Sequence, residues 1–187
     1  YQPGDDIRAI DWRVTARTGK THTKVFREER ERPVYLFTDM SESMQFGSQF
    51  LLKSVQAAHL TSLIAWSAMS RGDKVGGVSF NSETHRENKP RSRQASVLSH
   101  LNGLVALQNE LPSQPEQSAK SAASLFFDNC LRLSRLVKPG SLVWLISDFR
   151  YLDSASAAII ADMQRHCEVR ACIVNDPMEI ALPDINQ

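Results

Sequence analysis

Val34-Tyr35-Leu36-Phe37-Thr38-Asp39-Met40-Ser41-Glu42-Ser43 is the stretch on which the reading of this chain turns. Val34 to Thr38 is a continuous run, too short for a helix and rich in β-formers, so it reads as a buried strand. The strand stops at the carboxylate of Asp39. Hydroxyls follow at Ser41 and Ser43, and alternation in a tight loop points the three side-chain oxygens the same way. Hard cations such as Mg²⁺ take oxygen donors in this manner and keep positions open for water or an incoming ligand.

A second strand with the same ending lies far downstream. Ser141 to Ser147 (SLVWLIS) is the clearest strand in the chain, and it stops at Asp148. In open parallel sheets, ligands bind in the crevice beyond the carboxyl ends of the strands. Asp39 and Asp148 are therefore expected to be neighbours in space, giving a donor set of Asp39, Ser41, Ser43 and Asp148 for Mg²⁺, or for Mn²⁺ or Ca²⁺. With serines in place of further acids the bound ion stays electrophilic and can accept a carboxylate from another protein. Hydrolytic centres more often add acids, histidines or a general base, and none of the five histidines stands at ligand spacing from another. An aspartate and serine after a strand also commonly cap the next helix. The buried strand before them and the second strand-terminal aspartate favour the metal reading.

Outward from these strands, short apolar runs alternate with longer amphipathic ones, the pattern of an α/β sheet covered by helices. Ser48 to about Arg71 reads as a helix with Leu51, Val55, Ala58, Ala65 and Met69 on one face, ended by Gly72-Asp73. Val75 to Phe80 reads as a strand whose Gly76 and Gly77 imply a close neighbour against the backbone. Asn81 to Arg93 reads as a polar, basic loop. Gln94 to Leu107 carries Val97, Leu98, Leu101 and Leu104 at helical spacing. A further helix runs from near Ser118 to Val137, stopped by Lys138-Pro139-Gly140. Ser154 to His166 reads as a helix and Val169 to Val174 as a last strand.

The chain has 187 residues, 42% hydrophobic, enough to bury one substantial core. Its 22 Lys and Arg against 21 Asp and Glu give a net charge of +1, no global reason to expect nucleic acid or an anionic membrane as a partner. Cys130, Cys167 and Cys172 are odd in number and form no C-x-x-C pair, so neither a disulfide framework nor a zinc knuckle is indicated and a reducing, cytoplasmic setting is expected. No stretch is apolar enough to span a bilayer. The chain starts at Tyr1 without methionine, so a piece of a longer protein is expected, with any membrane anchor outside it.

At Asp39, Ser41, Ser43 and Asp148 the sequence resembles the von Willebrand A fold and its metal-ion-dependent adhesion site, in which D-x-S-x-S, a threonine from a second loop and an aspartate from a third surround the ion. No threonine begins the helix after Pro115; Ser118 or Ser121 offers the same hydroxyl chemistry. A closer resemblance covers nearly the whole chain. Tyr1 to Arg13 (YQPGDDIRAIDWR), Ala16-Arg17, Ser147-Asp148-Phe149 and Asp176-Pro177-Met178-Glu179 resemble signatures of the bacterial domain-of-unknown-function family fifty-eight, whose members often accompany MoxR-type AAA+ ATPases. The resemblance implies a bacterial protein-handling role, with a MoxR-type ATPase or its client as a partner presenting an acidic residue.

The expected architecture is thus a three-layer von Willebrand A-like α/β domain over residues 34–187, with a mostly parallel central sheet and helices on both faces. Residues 1–33 form a family signature and edge segment packing on the core, with Thr23 to Phe26 as a possible edge strand and a packed Trp12. Met44, Gln45 and Phe46 are expected at the rim of the site as partner contacts. The expected function is non-catalytic, metal-mediated capture of a partner carboxylate, with no membrane contact by this segment. An aspartyl-nucleophile phosphotransferase or phosphatase, and a scaffold with a degenerate site, are the alternatives. Gly19-Lys20-Thr21 fails as a phosphate loop, because Val14 stands where the first glycine belongs. The basic residues Arg86, Lys89, Arg91 and Arg93 are diluted by Glu83 and Glu87 and lack interleaved aromatics, so a solvated loop is expected there.

Overall fold

The computed structural model describes residues 10–22, 32–110 and 121–181. The chain divides between Arg30 and Glu31 into two compact units. In the first, α1 (Trp12–Thr18) is capped by the Asp11 carboxylate, which accepts a hydrogen bond from the Val14 amide at 3.2 Å, and it ends at Gly19 in the left-handed region. Trp12 is largely exposed and no residue of α1 is buried, a correction to the packed tryptophan expected from the sequence. The expected edge strand at Thr23 to Phe26 lies outside the described residues.

The second unit is built on a five-stranded sheet in the order β3-β2-β1-β4-β5. β1 (Pro33–Asp39) is central, flanked in parallel by β2 (Lys74–Phe80) and β4 (Leu142–Ser147), with β5 (Glu168–Ile173) parallel on the far side of β4. Side chains alternate along β1 as a strand buried on both faces requires. Tyr35 and Phe37 join Val78, Phe80, Val143 and Leu145 under α4 (Ala122–Leu136) and α5 (Ser154–Gln164). Val34 and Leu36 face the other way, onto α2 (Lys53–Ser70) and α3 (Gln94–Asn109), with Ala65, Ala68 and Val97. Helices therefore cover both faces, and the fold is the expected three-layer von Willebrand A-like α/β arrangement.

Three local expectations are corrected. His85–Arg91 is not a loop but β3, an antiparallel edge strand on β2. Its sequence, HRENKPR, has no apolar alternation because an edge strand is held by main-chain pairing from one side, and charges and proline there discourage further strand addition. The buried face of α2 is Ser54, Ala57, Thr61, Ala65 and Ala68, not the row with Leu51, Val55 and Ala58. Small side chains let this helix lie close to β1, where the Thr38 and Thr61 hydroxyls meet at 2.8 Å. The helix also starts five residues later than Ser48, because the Ser48 amide is bonded to the Asp176 carboxylate at 2.7 Å. The reading of Gly76 and Gly77 holds: a Cβ at Gly77 would stand 1.9 Å from the Leu36 carbonyl oxygen, and one at Gly76 2.4 Å from that of Asn88.

His100 of α3 is buried, with Nε2 unpartnered and Nδ1 3.3 Å from the Asn88 side-chain oxygen. Burial pushes its imidazole down from 6.5 to about 4. The unfolded chain binds this proton more readily, so the stability tied to neutral His100 is complete above pH 6.5 and is lost as pH falls toward 4. Urea unfolding should show a loss of about 2–3 kcal/mol on acidification across that window, over and above any change in a His100→Leu variant. Equal acid sensitivity in both proteins would mean that His100 charges without cost.

Candidate metal centre

The site forms where β1 and β4 end side by side. Thr38 is in register with Ile146, which sets Asp39 beside Ser147 and delivers Asp148 one residue further on. The Asp39 carboxylate is completely buried. Its Oδ1 accepts the Ser41 amide at 2.9 Å, and its Oδ2 accepts the Ser147 hydroxyl at 2.6 Å. Burial raises its pKa, and the hydrogen bonds from Ser147 and Ser41 only partly offset that. Ser147 also accepts the Phe149 amide at 2.9 Å. Phe149 has φ +56°, an uncommon setting for a bulky non-glycine residue, and marks a strained turn next to Asp148.

A tight turn at Glu42–Gln45 carries Ser43 back toward Asp148, whose carboxyl its hydroxyl helps to hold low. The Ser41 and Ser43 hydroxyls are both buried, and neither has a partner at normal hydrogen-bond geometry. The two hydroxyls lie against the Asp39 and Asp148 carboxyls, whose pKa values they lower, and so stand beside both carboxylates as further oxygen donors. Asp39, Ser41, Ser43 and Asp148 are thus brought together as expected, and the donor set fits a hard divalent cation. Among the described residues no group of three or more His, Cys, Asp or Glu side chains is placed to hold a metal ion, here or elsewhere, so an ion at this crevice would rest on two carboxylates and two hydroxyls.

The remaining site residues fare differently. Ser118 lies outside the described residues. Ser121 is exposed and caps α4, its hydroxyl accepting the Ser124 amide at 3.2 Å. Met44 is fully buried, packed with Ala57, Ile146 and Val174, so it cannot be a rim contact; the turn points it inward to close the core beneath the site. Gln45 is only partly exposed, and its side chain is committed to the Met40 carbonyl, the Ser54 hydroxyl and the Gln108 amide. Phe46 alone of the three presents an open surface, at 42% exposure.

What the sequence did not disclose is Lys53. This buried first residue of α2 places its ammonium 2.8 Å from Asp148 Oδ2 and 2.6 Å from Glu179 Oε1. Burial disfavours its charge, but the hydrogen bonds it donates to Asp148 and Glu179 outweigh that and raise its pKa. At Asp148 burial likewise opposes ionisation, and Lys53, the Arg150 amide and Ser43 together pull the pKa below the usual carboxylate range. Glu179 belongs to α6 (Pro177–Ile180), whose capping box joins Glu179 to the Asp176 amide and Asp176 to the Met178 amide. Asp176 in turn binds both the amide and the hydroxyl of Ser48. The Asp176-Pro177-Met178-Glu179 signature therefore ties the last described helix to the loop before α2 and to the site. Lys53 thus sets one buried positive charge between Asp148 and Glu179.

A three-layer α/β domain with an aspartate-hydroxyl crevice at its strand ends is the class that this geometry defines. The chain belongs to the family described as Protein of unknown function DUF58, whose model matches residues 1–187. It is 29% identical over 188 residues to the uncharacterised protein Rv1480 of Mycobacterium tuberculosis, covering 99% of this chain and 56% of that one. It is 30% identical over 83 residues to the uncharacterised protein YeaD of Bacillus subtilis, covering 44% and 19%. The chain thus spans about half the length of Rv1480. In fold it is similar to an aerotolerance-related membrane protein of Bacteroides fragilis, at TM-score 0.56 and 17% identity over 76% of this chain and 67% of that one. BatB, a conserved hypothetical protein of Bacteroides thetaiotaomicron, aligns at TM-score 0.53 and 18% identity over 75% and 65%. Among the described residues no helix is long and apolar enough to cross a membrane.

Proposed function

We propose that this chain is a non-catalytic protein-interaction domain that holds a divalent ion, Mg²⁺ by preference, through Asp39, Ser41, Ser43 and Asp148, and uses it to capture a carboxylate of a partner protein. The observation that carries the reading is the pair of buried, unpartnered hydroxyls of Ser41 and Ser43 beside the ends of β1 and β4. When bound, the ion would supply an open electrophilic position for a partner's acid. Phe46, exposed at the start of the loop into α2, is the rim contact available to that partner. The family resemblance in the opening signature supports a MoxR-type AAA+ ATPase or its client as the partner, and a cytoplasmic setting goes with it. Ser118 remains the second-loop hydroxyl open to join the site, since Ser121 is occupied as a cap.

Attack by Asp39 on phosphorus is opposed by its surroundings, since both oxygens already accept hydrogen bonds, which draw down their nucleophilicity. A second reading, a scaffold with a degenerate site, is favoured by Lys53, a built-in cation already in contact with Asp148. Calorimetric titration of Mg²⁺ and Mn²⁺ into chelator-treated protein separates the two. Saturable binding, weakened by about tenfold or more in Ser41→Ala/Ser43→Ala, supports the adhesion site. No heat and no thermal shift in the wild type supports the scaffold.

A further inference from the structure

Lys89 and Arg91 lie two apart on β3, and Arg93 follows two further on in the bend to α3. All three are exposed, and none of their side chains has a hydrogen-bond or ion-pair partner among the described residues. Arg86, by contrast, is neutralised by both oxygens of Glu110 at 2.7 and 2.8 Å, and Arg32 and Arg170 share Glu168. The three free cations line a cleft of about 540 Å³ between β3 and the start of α3, with Ser96 and Ser99 beside them and Glu87 as its one acid. β3 is the last strand of the sheet on its side, so among the described residues its outer edge has no strand against it.

We propose that this cleft forms a docking surface for an extended acidic segment of a partner protein, separate from the metal crevice. The register shift opposite Gly76 puts a bulge in β3 at Lys89-Pro90, and Pro90 has no amide hydrogen, so the bound segment is held by its acidic side chains against the cations along the cleft and not by strand addition. Charge complementarity selects this occupant. A second copy of the chain would bring Lys89 and Arg91 against like charge. Nucleic acid would need stacking surfaces, and no aromatic residue lines the cleft. The surface is remote from Asp39 along the sheet: Arg91 is in register with Val75 near the start of β2, whereas Asp39 is in register with Phe80 at its end.

The test is fluorescence anisotropy with a labelled peptide of alternating glutamate and threonine, alongside its lysine-threonine counterpart and single-stranded oligothymidine. Wild-type protein should bind the acidic peptide saturably and more weakly at high salt. Lys89→Glu/Arg91→Glu/Arg93→Glu should weaken binding by about tenfold or more, with Lys89→Gln/Arg91→Gln/Arg93→Gln weakened less. The titration is run in EDTA, where no ion can capture a carboxylate at the strand ends, so that failure of the metal reading leaves this result standing. The proposal is overturned by an absence of saturable binding, by equal binding to the charge-reversed and wild-type proteins, or by tighter binding of oligothymidine than of the acidic peptide.

Discussion

Replacing Asp39 by alanine should remove saturable Mg²⁺ binding, a loss of about a hundredfold or more in affinity, while the folded domain persists. The carboxylate is the donor best placed to anchor an ion: it ends the central strand, and Ser41 and Ser147 fix both its oxygens at 2.9 and 2.6 Å. Losing one of several first-sphere carboxylates costs more than the roughly 10- to 100-fold typical of a residue supporting the ligands. Stability moves less and in a known direction. Buried Asp39 has its pKa raised, chiefly by desolvation, so its ionised form is a burden on the folded state above the ordinary carboxylate pKa, and that burden eases as pH falls. Truncation removes the burden at neutral pH but leaves the Ser147 hydroxyl and the Ser41 amide without their acceptor, at about 1–3 kcal/mol. Titration calorimetry and urea unfolding of the same variant separate the two effects. Unchanged Mg²⁺ affinity would remove Asp39 from the donor set, and loss of folding would recast it as a cap for the Ser41 turn.

The sheet was legible because its strands are buried on both faces. VYLF and LVWLI are apolar without interruption, and runs so short and so uniformly apolar read as buried strands. Both end at an aspartate, which was enough to place Asp39 and Asp148 in one crevice before the register was known. β3 was illegible for the complementary reason: HRENKPR owes its strand state to hydrogen bonds from β2, and pairing leaves no mark on the composition of an edge. α2 was recognised as a helix but its inward face was misjudged, because periodicity weighs Val55 above Thr61 while close approach to β1 favours the smaller row.

Site residues divide in the same manner. Asp39, Ser41 and Ser43 are local to one turn, so their spacing speaks for itself. Lys53, Ser147 and Glu179 gain their roles from contacts 95 to 126 residues away in sequence, and a lysine opening an amphipathic helix is ordinarily a surface residue. The one available signal was Asp176-Pro177-Met178-Glu179, which has an aspartate before a proline and an acid three residues later, the pattern of a capped helix start. The helix it marks was not read from the sequence, and nothing in the pattern points to the second duty of Glu179. Met44 shows the converse limit, for the three residues after Ser43 look alike as rim candidates until the turn buries the first of them.

Lys53→Met should be the most destabilising single change at the site, by about 3–5 kcal/mol in urea unfolding at neutral pH without metal. Methionine nearly matches the lysine stem in volume, so the loss reports the charge: Asp148, only 5% exposed in its side chain, and Glu179 are left facing each other without a cation. The pH dependence follows from the directions of the shifts. Asp148 is held below its usual range, so the pair's contribution is present above the ordinary carboxylate pKa and is lost as pH falls through the depressed value in the folded state. Lys53 is raised, so the same contribution persists until pH climbs through its elevated value. The gap between wild type and variant should therefore be widest near neutrality and close under acid. Mg²⁺ gives the decisive arm. An ion held next to Asp148 replaces the missing ammonium, and at a hundred times its dissociation constant it returns about 2.7 kcal/mol. The variant should thus be rescued by Mg²⁺ more than the wild type is stabilised by it, and should bind the ion more tightly for want of a competing charge. Equal stabilisation of both proteins would place the ion out of reach of Asp148. An absence of rescue together with a full 3–5 kcal/mol loss would mean that Lys53 is itself the cation the crevice was built to hold.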